Sequence, residues 1–142
     1  MRKLFGEKGT ALLEAAVTMP LLLLVSVGIF EFGRAYQTWQ VLTNAAREAA
    51  RVAVLPYPQA GGPAARAQSY MQSGQLPNYA SAIVSVTATT ITVNGVNQPA
   101  SQVTISYPFQ FIMLQPVARL VQPGSAVGAP LTMTATSIMR NE

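Results

Sequence analysis

Residues Glu7 to Phe32 read "EKGTALLEAAVTMPLLLLVSVGIFEF". From Ala15 to Phe30 the stretch carries no charge, and Leu21 to Val25 form its densest apolar part. Counted from Thr10 to Phe32 it is 23 residues long, enough for a helix to cross about 30 Å of hydrocarbon. Arg2, Lys3 and Lys8 precede it, so the positive-inside rule places the amino terminus in the cytoplasm and the remainder outside. Phe30, Phe32, Tyr36 and Trp39 follow at the far end, where aromatic rings favour the headgroup layer and act as interface anchors. Pro20 removes one backbone donor and is expected to bend or loosen the helix. Glu14 is the residue out of place. An acid at the centre of a span costs about 2.5–3.5 kcal/mol on insertion scales, and less near an interface.

The composition narrows what the chain does. Its 142 residues make one domain plus, at most, one appended element. Only 10% are charged, against about a quarter in soluble domains, so part of the surface is expected to meet membrane or protein. The net charge of +4 comes from nine basic residues spread thinly, without the basic cluster and stacking aromatics of a nucleic-acid binder. Cysteine is absent, which removes disulfides and thiolate metal sites. Histidine and aspartate are absent too, and with them the commonest general base, metal ligand and triad members. No catalytic residue, metal, cofactor or small-molecule substrate is therefore expected. Glu48, Tyr70 and Ser73 have no spacing that nominates them for an envelope enzyme.

Three readings compete for the apolar segment. A cleaved secretory signal needs a small-x-small site, and "GRA" at Gly33–Ala35 is the only candidate nearby, behind Glu31 and an overlong core. A plain single-pass anchor explains length and orientation and leaves Glu14 as a cost. The third reading joins Glu14 to Gly9. The pattern "G|TALLE", after a short basic leader and before an apolar helix, resembles the processing site of type IV prepilins. In that family a membrane-embedded peptidase cuts after the glycine, making Thr10 residue +1 and Glu14 residue +5. The new ammonium at Thr10 lies at a helix start, where the macrodipole and free N–H groups favour a negative charge. The Glu14 carboxylate of one subunit then meets the ammonium of the next as the filament grows.

The helical pattern continues past the membrane to about Val54. Phe32, Ala35, Tyr36, Trp39, Leu42, Ala45, Ala46, Ala49 and Ala53 recur at spacings of three and four, a single apolar stripe expected to pack as core. Glu31 with Arg34, and Glu48 with Arg51, have the spacing of surface ion pairs. Pro56 and Pro58 end the helix. "PYPQAGGP" from Pro56 to Pro63 reads as a loop, and "AARAQSYMQSG" as a short helix ending near Gly74. "AIVSVTATTITVNG" is rich in Val, Ile and Thr and turns at Asn94–Gly95. "QVTISYPF" alternates Val103, Ile105 and Tyr107 against Thr104 and Ser106. "QFIMLQPVARLV", interrupted by Pro116, fits a short helix, an edge segment or a partner-facing patch. "LTMTATSIMRNE" closes the chain with a further alternating run. An α+β fold follows, a long amino-terminal transmembrane helix continuing into a small outer domain with a short helix and an antiparallel sheet of three or four strands.

With these residues in view the chain resembles the TadE family, pilin-like proteins of the Tad machinery that assembles Flp pili. The resemblance rests on "KGTALLEAAVTMPLLLL", on "GIFEFGRAYQTWQVLTNAAREAARVAV" and, more loosely, on "ATSIMRNE". It implies a minor pilin or pseudopilin made as an inner-membrane precursor, trimmed by a prepilin peptidase, and needed for pilus biogenesis and surface adhesion. Its partners would be that peptidase and other Tad pilins. By position, Gly9 precedes the scissile bond, Thr10 becomes the new terminus and Glu14 serves assembly. Major Flp pilins commonly show Glu then Tyr at that site, whereas Glu14 is followed by Ala15; the departure points to a minor subunit, of the TadE or the TadF kind. The implied organisation is a leader at 1–9, a transmembrane and extended helix at 10–55, and a periplasmic or extracellular α+β domain at 56–142. The alternative is an unprocessed single-pass envelope protein whose outer domain binds a partner.

Overall fold

The computed structural model describes residues 7–56 and 60–141. Arg2 and Lys3 of the expected leader, and Pro58 of the expected loop, lie outside them. The elements in order are α1 (Glu7–Ala53), α2 (Gly62–Ser73), a single 3-10 turn at Tyr79–Ser81, β1 (Ile83–Val93), β2 (Val96–Phe109), α3 (Leu114–Val121) and β3 (Leu131–Arg140). This is the expected α+β arrangement, with one helix long and apolar enough to cross a membrane.

Helix α1 is 47 residues long and runs through Pro20 without interruption. Two hydroxyls in its apolar part turn back onto the helix: Thr18 Oγ1 donates to the Glu14 carbonyl at 2.9 Å and Ser26 Oγ to the Leu22 carbonyl at 2.8 Å. Such back-bonding satisfies a polar group inside an apolar surface. The chain forms two compact units. Helix α1 up to Arg34 belongs to the first, together with Gln110–Ala129; the rest of α1, α2 and the three strands belong to the second.

In the first unit, "QFIMLQPVARLV" divides into an irregular turn at Gln110–Met113 and helix α3 from Leu114. Pro116 is the third residue of α3, inside the first turn, where a missing N–H costs no bond. Leu114 and Ala118, one turn apart, are buried, and the Gln122 N–H closes the helix on the Ala118 carbonyl at 2.9 Å. The return of the chain depends on Gly128, at φ +77°: an added Cβ there would stand 2.6 Å from the Gln115 nitrogen. Only glycine allows both the left-handed turn and so close an approach of two backbones.

In the second unit the strands form an antiparallel meander in the order β1-β2-β3. Asn94 (φ 51°) and Gly95 (φ 78°) supply the two left-handed residues that a two-residue hairpin needs. Register is set by the period-two pattern. Val103, Ile105, Tyr107 and Phe109 of β2 are buried while Thr104, Ser106 and Pro108 are more exposed, and Ile105 pairs with Val84 on one side and Ala135 on the other. From α1 this unit buries Thr38, Leu42, Ala45, Ala46, Ala49 and Ala50, and from α2 it buries Ala67 and Met71. Gly74 ends α2 where an added Cβ would come within 2.6 Å of Val41 Cγ1, so α2 terminates against α1.

Two expectations about α1 need correction. The single apolar stripe divides: Leu42, Ala45, Ala46 and Ala49 are core and Ala35 and Ala53 are half-buried, but Tyr36 is 61% and Trp39 47% exposed, and Phe32 in the first unit is exposed as well. At about 100° per residue, Tyr36 stands about 120° round the helix from Leu42, beyond the buried face. Glu48 does not pair with Arg51; it meets Arg66 of α2 at 3.0 Å, because α2 brings a guanidinium from across the groove.

Candidate functional site

The residues expected at the amino-terminal site sit in the opening turns of α1. The Gly9–Thr10 peptide lies within the helix, and Thr10 and Glu14 are both exposed. Four residues apart, they share one face. Among the described residues the Glu14 carboxylate forms no salt bridge. The leucines around it, Leu12, Leu13, Leu21, Leu22 and Leu23, are exposed as well, and none of the most apolar window of the helix is buried. A charged group thus stands on a surface suited to lipid or to other helices.

A second carboxylate at the other end of the apolar stretch is treated oppositely. Glu31 is 0% exposed. Its Oε1 accepts the backbone N–H of Ile112 at 2.7 Å and of Met113 at 2.6 Å. Its Oε2 accepts Nε and Nη2 of Arg34 at 3.2 and 3.0 Å. Arg34 Nη2 also donates to the Gln110 carbonyl. The i, i+3 spacing on α1 aims both side chains at the same turn of chain, so one carboxylate and one guanidinium grip the backbone from Gln110 to Met113. The pair expected at the surface is formed, but its acid is buried. Charge-assisted bonds of this kind are about twice as strong as neutral ones, and here they hold the segment that leads into α3. Nearby, Phe32 and Phe111 meet edge to face with centroids 6.3 Å apart.

Phe30, like Phe32, Tyr36 and Trp39, is exposed. Tyr36 and Trp39 lie 6.4 Å apart, and the Tyr36 hydroxyl accepts Gln40 Nε2 at 2.7 Å. Glu48, Tyr70 and Ser73 do not converge on a shared reaction centre: Glu48 is spent on Arg66, and Ser73 Oγ donates to the Ser69 carbonyl at 2.9 Å. The groove beside Glu48 is lined by Arg51, Val52, Leu55, Ala65, Arg66 and Ser69. Among the described residues no cluster of His, Cys, Asp or Glu has the makings of a metal site.

The Glu31–Arg34 clamp was not legible as a clamp. The signal available was a polar pair, "EFGR", placed where an apolar run ends; its partners are backbone groups some 80 residues away, which no side-chain pattern announces. No curated protein and no solved structure matches the chain. Residues 9–51, the stretch that holds Gly9, Glu14 and the Glu31–Arg34 pair, match the family model described as TadE-like protein.

Proposed function

We propose that the chain is a minor pilin or pseudopilin of a Tad-type pilus, a non-enzymatic subunit acting in pilus biogenesis and surface adhesion. It is made as a single-pass inner-membrane precursor with its amino terminus cytoplasmic, and a prepilin peptidase cuts it between Gly9 and Thr10. The observation that carries this reading is Glu14, an exposed carboxylate on an apolar helix surface with no salt bridge among the described residues. Lipid does not stabilise such a group; a cation from a neighbouring subunit does. Cleavage creates that cation at Thr10, and packing delivers it. The family match over residues 9–51 supports association with the Tad pilus system. The exposed rings of Phe30, Phe32, Tyr36 and Trp39 support their role as interface anchors.

The test is the mass of the amino terminus of protein taken from its native cell, together with Glu14→Ala. The proposal expects a mature chain beginning at Thr10, and normal cleavage but poor assembly of the variant. A chain still beginning at Met1 where the peptidase is active would overturn it and leave a tethered envelope protein. So would a Glu14→Ala subunit that assembles as well as the parent.

A further inference from the structure

The first unit leaves an apolar surface on the segment that the clamp holds. Ile112, Met113 and Val127 are exposed, and Leu120 is 85% exposed. Leu120 is not pushed out of a core, since α3 buries Leu114 and Ala118, which stand about 120° and about 160° round the helix from it. Between Gln110 and Ala129 there is no acid and no lysine, and Arg119 is the sole charge. The same unit contains α1 residues Leu21, Leu22, Leu23, Val25, Ile29, Phe30 and Phe32, all exposed. A groove lined by Leu24, Val25, Gly28, Ile29, Phe32, Leu114 and Val127 joins the two surfaces. Whatever surrounds α1 at Leu24–Phe32 therefore also reaches α3.

We propose that Gln110–Ala129 is embedded in the bilayer interface at the carboxyl-terminal end of the span, with Ile112, Met113, Leu120 and Val127 inserted among the lipid chains. The inference rests on the reading of α1 as membrane-spanning and extends the membrane contact to a second segment. Amphipathic segments with a cation on the polar side lie in this layer, and Arg119, adjacent to Leu120, reaches toward lipid phosphate while its stem stays apolar. Irregular backbone is tolerated at such depth only where its polar groups are satisfied by protein. The Ile112 and Met113 N–H groups meet that condition through Glu31, and the Gln110 carbonyl through Arg34. The clamp removes the cost that would otherwise keep this turn in water.

Because the chain has no cysteine, single cysteines report position directly. The full chain carrying Leu120→Cys or Ile112→Cys is labelled with an environment-sensitive fluorophore and reconstituted in vesicles of phosphatidylcholine and phosphatidylglycerol. Leu22→Cys marks the span, and Thr90→Cys, exposed on β1, serves as the aqueous reference. The expected result is quenching of the 112 and 120 probes by lipids spin-labelled near the headgroup, with several-fold weaker quenching by aqueous iodide than at position 90. If position 22 is quenched by deep spin labels while 112 and 120 respond to iodide as position 90 does, this inference falls and the span stands. If position 22 is not quenched from the lipid, both fall. Shielding at 112 and 120 that disappears as protein is diluted in lipid would assign the surface to a second copy of the chain and overturn the inference.

Discussion

Replacing Glu31 by alanine removes the acceptor shared by two backbone N–H groups and a guanidinium. Bonds to a charged group contribute about 1.5–3 kcal/mol each, so the Ile112, Met113 and Arg34 contacts would sum to well over 4 kcal/mol if independent. They are not independent, because all three end on one carboxylate. Breaking a buried ion pair by removing one partner typically costs about 3–5 kcal/mol, and the Arg34 side chain, 23% exposed, recovers part of this from solvent. We expect a loss of about 3 kcal/mol. That is roughly a hundredfold increase in the open population of the Gln110–Val121 segment. Hydrogen exchange of the reconstituted chain, resolved by peptide, measures it: amides from Ile112 to Ala118 lose protection while β1, β2 and β3 keep theirs. Glu31→Gln retains an oxygen for the two N–H groups and loses the charge, so it falls between parent and alanine variant. Unchanged exchange at 112–118 in Glu31→Ala would refute the clamp. So would an equal loss across the sheet, which would make Glu31 a determinant of the whole fold.

Three further predictions follow from the same geometry. Gly128→Ala forces a Cβ into the left-handed region, at about 1–2 kcal/mol, and to within 2.6 Å of the Gln115 nitrogen; exchange in α3 rises and the sheet is unaffected. Ile105→Ala in the central strand empties a fully buried site and lowers the stability of the sheet unit by about 2–5 kcal/mol, read from urea unfolding. Glu48→Ala and Arg66→Ala each cost less than about 1 kcal/mol, since the pair is substantially exposed and such pairs contribute little; a double-mutant cycle gives a coupling that shrinks with salt.

How much of this was legible depends on whether a feature writes itself into a local period. Helix α1 did, through an unbroken apolar run followed by an alanine-rich face, and its structural bounds of Glu7 to Ala53 lie within a few residues of the expected ones. The strands did, because Val103, Ile105 and Tyr107 alternate with polar residues, and Asn94–Gly95 is a turn that few other residue pairs can make. The aromatic positions misled, because spacings of three and four also run along the flank of a helix. Tyr36 fits the count and misses the buried face. The segment from Gln110 to Ala129 could not be placed, because what holds it is backbone hydrogen bonding to a distant carboxylate, and backbone groups have no sequence signature.

The two acids that bracket the apolar stretch show why that distinction matters. Glu14 and Glu31 flank the uncharged run from Ala15 to Phe30, and by composition either one is simply a carboxylate at the edge of a hydrophobic helix. Their surroundings are opposite. Glu31 is enclosed, with both oxygens engaged by N–H donors and a guanidinium of its own chain, so nothing outside the molecule is required to stabilise its charge. Glu14 is exposed and forms no salt bridge among the described residues. The fold satisfies one acid internally and leaves the other exposed on an apolar helix surface, where, under the proposed function, the ammonium of a neighbouring subunit supplies its cation. The expected consequence is a clean separation of phenotypes. Substitution of Glu31 loosens the subunit itself, visible in purified protein; substitution of Glu14 leaves the purified subunit's exchange pattern intact and shows itself only when subunits assemble. If Glu14→Ala altered exchange in the isolated chain as Glu31→Ala does, the contrast, and the assembly role built on it, would fail.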